Sequence, residues 1–375
     1  MLIGIAVLLV LLASDKASSR TPPIDFAVVG QQKCGTSTLW ANLVVNPAIL
    51  AYGDKKETFA FNGDRVIVPP RCTIPLETYI KPAEQQRAAA KRPVLIGDFT
   101  ATHFACSCCP GIFKLLNPKL KVIVMLRDPI YRAHSRFVEQ VQMKKLGNRG
   151  YRQPNGTEVG FNASRGFAAY VHWALPQLEG CVQRNEAGED SPLGRYLRMQ
   201  CYMFDHIFGF SMYDVFLENY FRHFPDNQVL VAYMEDMAED PLGVIRKIEK
   251  HLGLPPFAYD KSVGSAVFNA HGGYGWRNAS ASTDHAGLEW VSTGPADEDK
   301  GALAEAIERL RAFFMPSMKR LFAWADEGRI AQVPAAWRSV YGRSALDLLL
   351  GGSDPDAEQE DVTQPERRGQ ASSPG

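Results

Sequence analysis

Short apolar runs separated by amphipathic stretches organise this chain. Phe26-Ala27-Val28-Val29 is an uninterrupted apolar run that stops at Gly30. A polar loop follows, Gln31 to Gly35, and Thr36-Ser37-Thr38 then opens a segment carrying Leu39, Trp40, Leu43 and Val44 at helical spacing. This pattern predicts a strand, a tight turn and a helix N-terminus. Lys121 to Leu126 (KVIVML) is denser in β-branched and aliphatic residues, as suits a strand buried on both faces of a parallel sheet. Pro93 to Gly97 and Gln228 to Tyr233 read as two further strands. Helices are predicted over 164–180, over Met212 to Phe224, and from Asp240-Pro241 to Leu252 with Gly253 closing it. In the third, an N-cap acid is followed by a first-turn proline. A long helical pattern over 299–327 is predicted to break at Pro316, where a ring replaces an N–H. Strands alternating with helices predict a three-layer α/β fold with a parallel sheet.

The two ends depart from this pattern. Residues 1–13, MLIGIAVLLVLLA, are apolar throughout. They fall short of the roughly 17–25 residues of a spanning helix and match a signal-peptide core. Residues 1–20 are therefore read as a signal peptide or truncated signal anchor, a candidate membrane anchor. Residues 21–345 form the folded domain, and 346–375 a polar, disordered tail. Lys and Arg balance Asp and Glu at 41 each, so no global field selects nucleic acid as a partner. Basic residues cluster locally at Lys144, Lys145, Arg149 and Arg152, which suits either a solvated loop or contact with an anionic acceptor. Sequons at Asn155, Asn162 and Asn278 give mild support to a secretory lumen.

The loop after the first strand carries the most specific chemistry. A helix N-terminus presents unpaired N–H groups and the positive end of a dipole, and so binds phosphate. Lys33, Thr36, Ser37 and Thr38 add donors there. The order is not that of the nucleoside triphosphate loop, G-x-x-x-x-G-K-[ST]. Here the lysine precedes Gly35, and no hydroxyl directly follows a lysine to hold magnesium. The second strand-to-helix junction reads RDPIYRAHSRF from Arg127. Arg127 offers a planar fork to a phosphate, Pro129 suits a first helical position, and Ser135 adds a hydroxyl further along.

The first loop, K-x-G-T-[ST]-x-L, resembles the 5′-phosphosulfate loop of sulfotransferases. The second, R-x-P-x-x-R-x-x-S-x-F, resembles their 3′-phosphate signature at every fixed position. The resemblance covers roughly residues 25–325. KKETFAFN at 55–62, GDFTATHF at 97–104, the S-x-Y-x-x-x-L-x-x-Y around Tyr213 and YMEDMAEDP at 233–241 are similar to segments of the Golgi carbohydrate sulfotransferases. The most similar groups are the N-acetylgalactosamine 4-sulfate 6-O- and the heparan sulfate enzymes. There are two departures. Phe99 stands where the heparan enzymes often carry a lysine, and HGGYGWRN at 271–278 is only a loose substitute for their C-terminal nucleotide loop.

The resemblance implies a P-loop-like parallel sheet flanked by helices, and the co-substrate 3′-phosphoadenosine-5′-phosphosulfate without a metal. Lys33, Gly35, Thr36, Ser37, Thr38, Arg127, Ser135 and Tyr213 would bind it, and the acceptor would be a carbohydrate of glycosaminoglycan type. Lys33 would stabilise the leaving phosphate. Glu57 is the candidate base, with Asp98 and then His103 in reserve. The alternatives are a lipid or small-alcohol acceptor, or a nucleotide or small-molecule kinase. A Golgi location also follows, and it bears on the seven cysteines. Cys34, in the phosphate loop, is expected to be a free thiol, and the other six allow up to three bridges in an oxidising lumen. Cys181 and Cys201 flank a polar loop with no core of its own and are expected to pair, as the resemblance loosely supports. Cys106, Cys108 and Cys109 lack a second pair at zinc spacing, with only His103 near, and no metal is expected there.

Overall fold

The computed structural model describes residues 21–61, 76–142, 151–152, 158–159, 161–185, 191–260, 263, 266–268, 276–278 and 300–342. The expected leader at 1–20, the basic residues Lys144, Lys145 and Arg149, and the tail at 346–375 lie outside the described residues. No helix among those described is long and apolar enough to cross a membrane.

Five strands, β1 (Phe26–Gly30), β2 (Ile49–Ala51), β3 (Leu95–Asp98), β4 (Lys121–Leu126) and β5 (Val229–Tyr233), form one sheet in the order β2-β3-β1-β4-β5. All four pairings are parallel. Every residue of β1 is buried, and five of the six in β4, as two covered faces require. One core cluster packs Val122, Val124 and Leu126 of β4 with the helices on one face, while Ile123 and Met125 belong to a second cluster on the other. The three-layer α/β prediction therefore holds, down to the alternation along a single strand.

The helices that position the site are α1 (Thr36–Leu43), α2 (Leu76–Ala89), α3 (Cys109–Leu116), α4 (Pro129–Gln142), α5 (Gly166–Arg184), α6 (Pro192–Phe204), α7 (Tyr213–Phe221), α8 (Met234–Glu239), α9 (Pro241–Leu252), α10 (Lys300–Asp326) and α11 (Ala335–Gly342). Helix α9 begins and ends as predicted. The Asp240 carboxylate accepts from the Gly243 N–H at 2.8 Å, and Gly253 closes the helix at φ 74°.

The predicted break at Pro316 does not occur: α10 runs through it. A proline inside a helix costs about 3 kcal/mol. Here Ala306, Leu310 and Phe314 before it and Met318, Leu321 and Phe322 after it are all buried. Burying each large side chain contributes about 1.5–3 kcal/mol, so packing on both sides outweighs the lost bond.

Cys181 of α5 and Cys201 of α6 are joined, with Cα atoms 5.8 Å apart, and Cys106 is joined to Cys109. The first bridge closes a loop of 20 residues. Chain entropy assigns such a loop about 3 kcal/mol. Cys181→Ser is expected to lower the unfolding free energy by about that amount, read as a fall in the denaturant midpoint with the slope conserved. An unchanged midpoint would show that the bridge adds nothing.

Candidate active site

The turn after β1 is built by exclusion. At Gly30, a Cβ would lie 2.6 Å from the Ala101 carbonyl oxygen and 2.6 Å from the Phe104 Cβ, so only glycine fits. Gln31 is fully buried. Its N–H reaches the Met125 carbonyl at 2.7 Å and its amide donates to the Phe210 carbonyl at 2.6 Å. Lys33 at φ 68° and Gly35 at φ 78° reverse the chain into α1. A lysine there is strained and needs its surroundings to hold it. The first turn of α1, Thr36, Ser37 and Thr38, thus stands at the C-terminal edge of the sheet, where α/β folds take up ligands. Cys34 is a free, buried thiol whose pKa burial pushes up to about 12, so it stays protonated and unreactive.

The second turn follows β4, the neighbour of β1. Arg127 is buried, and its Nη1 donates to the Lys33 carbonyl at 3.5 Å. The Arg127 carbonyl accepts from the Tyr213 hydroxyl at 2.7 Å. Tyr213 is fully buried, so it reaches the site through the arginine backbone. Asp128 caps α4, its Oδ1 accepting from the Ile130 and Tyr131 N–H groups at 2.9 and 3.1 Å. Burial raises the Asp128 pKa to about 6. Arg132 is consumed by the protein itself, donating to the carbonyls of Gln32 at 3.1 Å, Ile207 at 2.8 Å and His206 at 2.8 Å. It staples the first turn to the segment before α7. Ser135 is half-buried on α4. Glu139 lies four residues further, on the same helical face. Its carboxylate pairs with Lys33 Nζ at 3.2 Å and with Arg136 at 2.5 Å. Burial pulls the Lys33 pKa down and Glu139 opposes that pull.

The three candidate bases occupy different environments. Asp98 is fully buried. It accepts from the Tyr79 hydroxyl at 2.7 Å, the Thr100 N–H at 2.9 Å and the Thr58 hydroxyl at 3.1 Å. His103 is fully buried too, with ring centroids 5.6 Å from Phe61 and 5.2 Å from Phe113. Burial lowers its pKa even though Asp98 faces it at 3.6 Å. Neither side chain has exposed surface. Glu57 keeps 25% of its side chain exposed. Its Oε2 accepts from the Ala101 N–H at 3.0 Å, and Oε1 contacts Lys56 Nζ. Burial raises its pKa against the pull of Lys56. Ala101 links this carboxylate to the turn after β1, because its carbonyl is the one packed against Gly30. Phe99 is buried edge-to-face on Phe26 at 5.4 Å and offers no polar group.

Among the described residues, one cluster has metal-ligand composition: Cys106, Cys108 and Cys109. Cys106 and Cys109 are bonded to each other and Cys108 is disulfide-bonded as well, which removes the thiolates a cation needs. Glu139 and Trp337 carry no expectation from the sequence, whereas Glu235 lies in the YMEDMAEDP segment at 233–241. For Glu139 a signal existed, a carboxylate four residues beyond Ser135.

Comparison with known proteins bears on this arrangement. The profile of the sulfotransferase domain family matches residues 23–320. The bifunctional heparan sulfate N-deacetylase/N-sulfotransferase 4 of Mus musculus is 25% identical over 251 residues, covering 64% of this chain and 23% of that protein. The Mus musculus heparan sulfate glucosamine 3-O-sulfotransferase 3A1 is 23% identical, over 66% of this chain and 49% of that protein. The chain thus spans less than half the length of these curated relatives. Among solved structures, a sulfotransferase from Alicyclobacillus acidocaldarius is 18% identical with a TM-score of 0.49, covering 84% of this chain and 98% of that one.

Proposed function

The chain belongs to the sulfotransferase domain family, and on that premise we propose that it transfers a sulfuryl group from 3′-phosphoadenosine-5′-phosphosulfate to a hydroxyl of a carbohydrate acceptor of glycosaminoglycan type. One observation carries the reading. Two turns follow adjacent parallel strands and are tied together by Arg127 on the Lys33 carbonyl at 3.5 Å and Arg132 on the Gln32 carbonyl at 3.1 Å. Such a pair suits a nucleotide with phosphates on both sides of its ribose. The α1 turn with Lys33 takes the 5′ side, and Arg127 with Ser135 takes the 3′ side.

In the reaction, the acceptor oxygen attacks sulfur in line, and the bond from sulfur to the bridging phosphate oxygen breaks. The electron pair leaves with the 5′-phosphate, where the α1 N–H groups and Lys33 meet the growing charge. The acceptor proton passes to the Glu57 carboxylate. The relatives named above support the acceptor class, and the two described disulfides support a secretory, Golgi-type lumen.

Titration calorimetry with adenosine 3′,5′-bisphosphate, without magnesium, tests the donor site. Binding is expected, and Arg127→Ala should weaken it by about 1.5–3 kcal/mol, roughly 10- to 150-fold, the scale of a hydrogen bond to a charged group. Binding of ATP with magnesium alone would overturn the reading. Radiolabelled sulfate donor offered to desulfated glycosaminoglycans, lipids and small alcohols identifies the acceptor.

A further inference from the structure

We propose that helix α11, which lies beyond the matched family segment, is a positioning element of the 3′-phosphate site and acts through Trp337. The inference rests on the donor-site reading above. The match to the family ends at residue 320, whereas α11 covers Ala335–Gly342. Trp337 Nε1 donates to Glu235 Oε1 at 3.1 Å. The same oxygen accepts from the Asp128 backbone N–H at 3.0 Å. One carboxylate oxygen therefore joins α11 to the peptide that directly follows Arg127.

Both halves of the 3′-phosphate cradle hang on that peptide. On one side is Arg127, whose fork must meet the phosphate. On the other, Asp128 caps α4 through the Ile130 and Tyr131 N–H groups, and α4 carries Ser135. The helix is seated firmly enough to act as a support. Trp337 is 2% exposed and stands edge-to-face on Tyr233 at 5.2 Å, while Tyr341, one turn on, is fully buried. The Tyr233 hydroxyl donates to the Ala331 carbonyl at 2.8 Å and fixes the entry to the helix. Glu235 follows Tyr233 by two residues, so the same side chains anchor both partners of the bond.

Trp337, 2% exposed, presents almost no surface to a ligand; it sets where Arg127 stands. A half-buried carboxylate that loses a donor shifts to recover one, and the Asp128 peptide moves with it. A bidentate fork tolerates little displacement. The α1 turn, which takes the 5′-phosphate, meets this line of bonds only at its far end, where Arg127 donates to the Lys33 carbonyl at 3.5 Å.

That asymmetry supplies the test. Trp337→Phe keeps most of the ring volume and removes the indole N–H. Its affinity for adenosine 3′,5′-bisphosphate is expected to fall roughly 3- to 15-fold, the scale of one hydrogen bond. Affinity for adenosine 5′-phosphate, read by competition, should stay within about twofold, because the α1 turn has its own anchors in the Gln31 bonds to the Met125 and Phe210 carbonyls. In an Arg127→Ala background the loss should shrink to the part that runs through α4 and Ser135. Equal losses for both nucleotides, or no loss for either, overturn the inference, since a general destabilisation does not single out one phosphate. A wild-type protein that holds the two nucleotides equally well overturns the donor-site reading and the inference with it. If Trp337→Phe does not fold, Glu235→Ala removes the shared acceptor from the other end, and the absence of a bisphosphate-selective loss there refutes the proposal.

Discussion

Lys33→Ala is expected to lower kcat by roughly 10²–10³-fold, the range for removing one preorganised donor from a developing charge, while bisphosphate affinity changes far less. The separation follows from when charge appears. In the ground state the bridging oxygen shares its electrons with sulfur. As that bond breaks, the oxygen gains charge and the ammonium interaction strengthens, so the loss falls on the transition state. The setting of Lys33 favours this role. Its backbone is held at φ 68° and its carbonyl receives Arg127 at 3.5 Å. Glu139 keeps the ammonium paired at 3.2 Å while burial works to deprotonate it. Lys33→Arg should restore only part of the rate, because a planar fork does not present charge as a compact ammonium does. Single-turnover measurements separate chemistry from product release. Equal losses in affinity and kcat would make Lys33 a binding group only.

How much of this site was legible before folding depends on how local its causes are. The first turn was legible, because an apolar run ending at Gly30 and a hydroxyl-rich helix start are neighbours in the chain. So was the α9 start, where Asp240 accepts from the N–H three residues on. The reserve bases were not. Asp98 ends β3 and His103 follows it, as titratable residues often do in active sites. Nothing nearby in sequence announces that the Tyr79 hydroxyl and Thr58 would close over one, or Phe61 and Phe113 over the other. The support behind Arg127 is more remote still: Glu235 lies 107 residues from Asp128, and Trp337 a further 102. Helix α10 failed in the opposite direction. Pro316 is a strong local stop, and it is overruled by burial on both sides of it.

Glu57→Gln is expected to lower kcat by roughly 10²–10⁴-fold, the contribution of a positioned proton acceptor, and to leave bisphosphate affinity nearly intact. An amide keeps the oxygen that accepts from the Ala101 N–H at 3.0 Å, so the loop should stay in place while the basicity is lost. The pH profile adds a second readout. Burial raises the Glu57 pKa from 4.5, and Lys56 only partly opposes it. The base works ionised, so kcat/KM should fall as pH drops through a value above 4.5, and this acid limb should vanish in Glu57→Gln. Asp98→Asn offers a contrast. Its carboxylate holds Tyr79, Thr100 and Thr58. Its loss should lower the unfolding temperature by disrupting a buried hydrogen-bonded group, with any loss of rate arising through the Thr58 link to Glu57. If Glu57→Gln keeps near-wild-type turnover with the acid limb in place, the proton is taken elsewhere. Asp98, opened by movement of the Tyr79 helix α2, then becomes the first residue to examine.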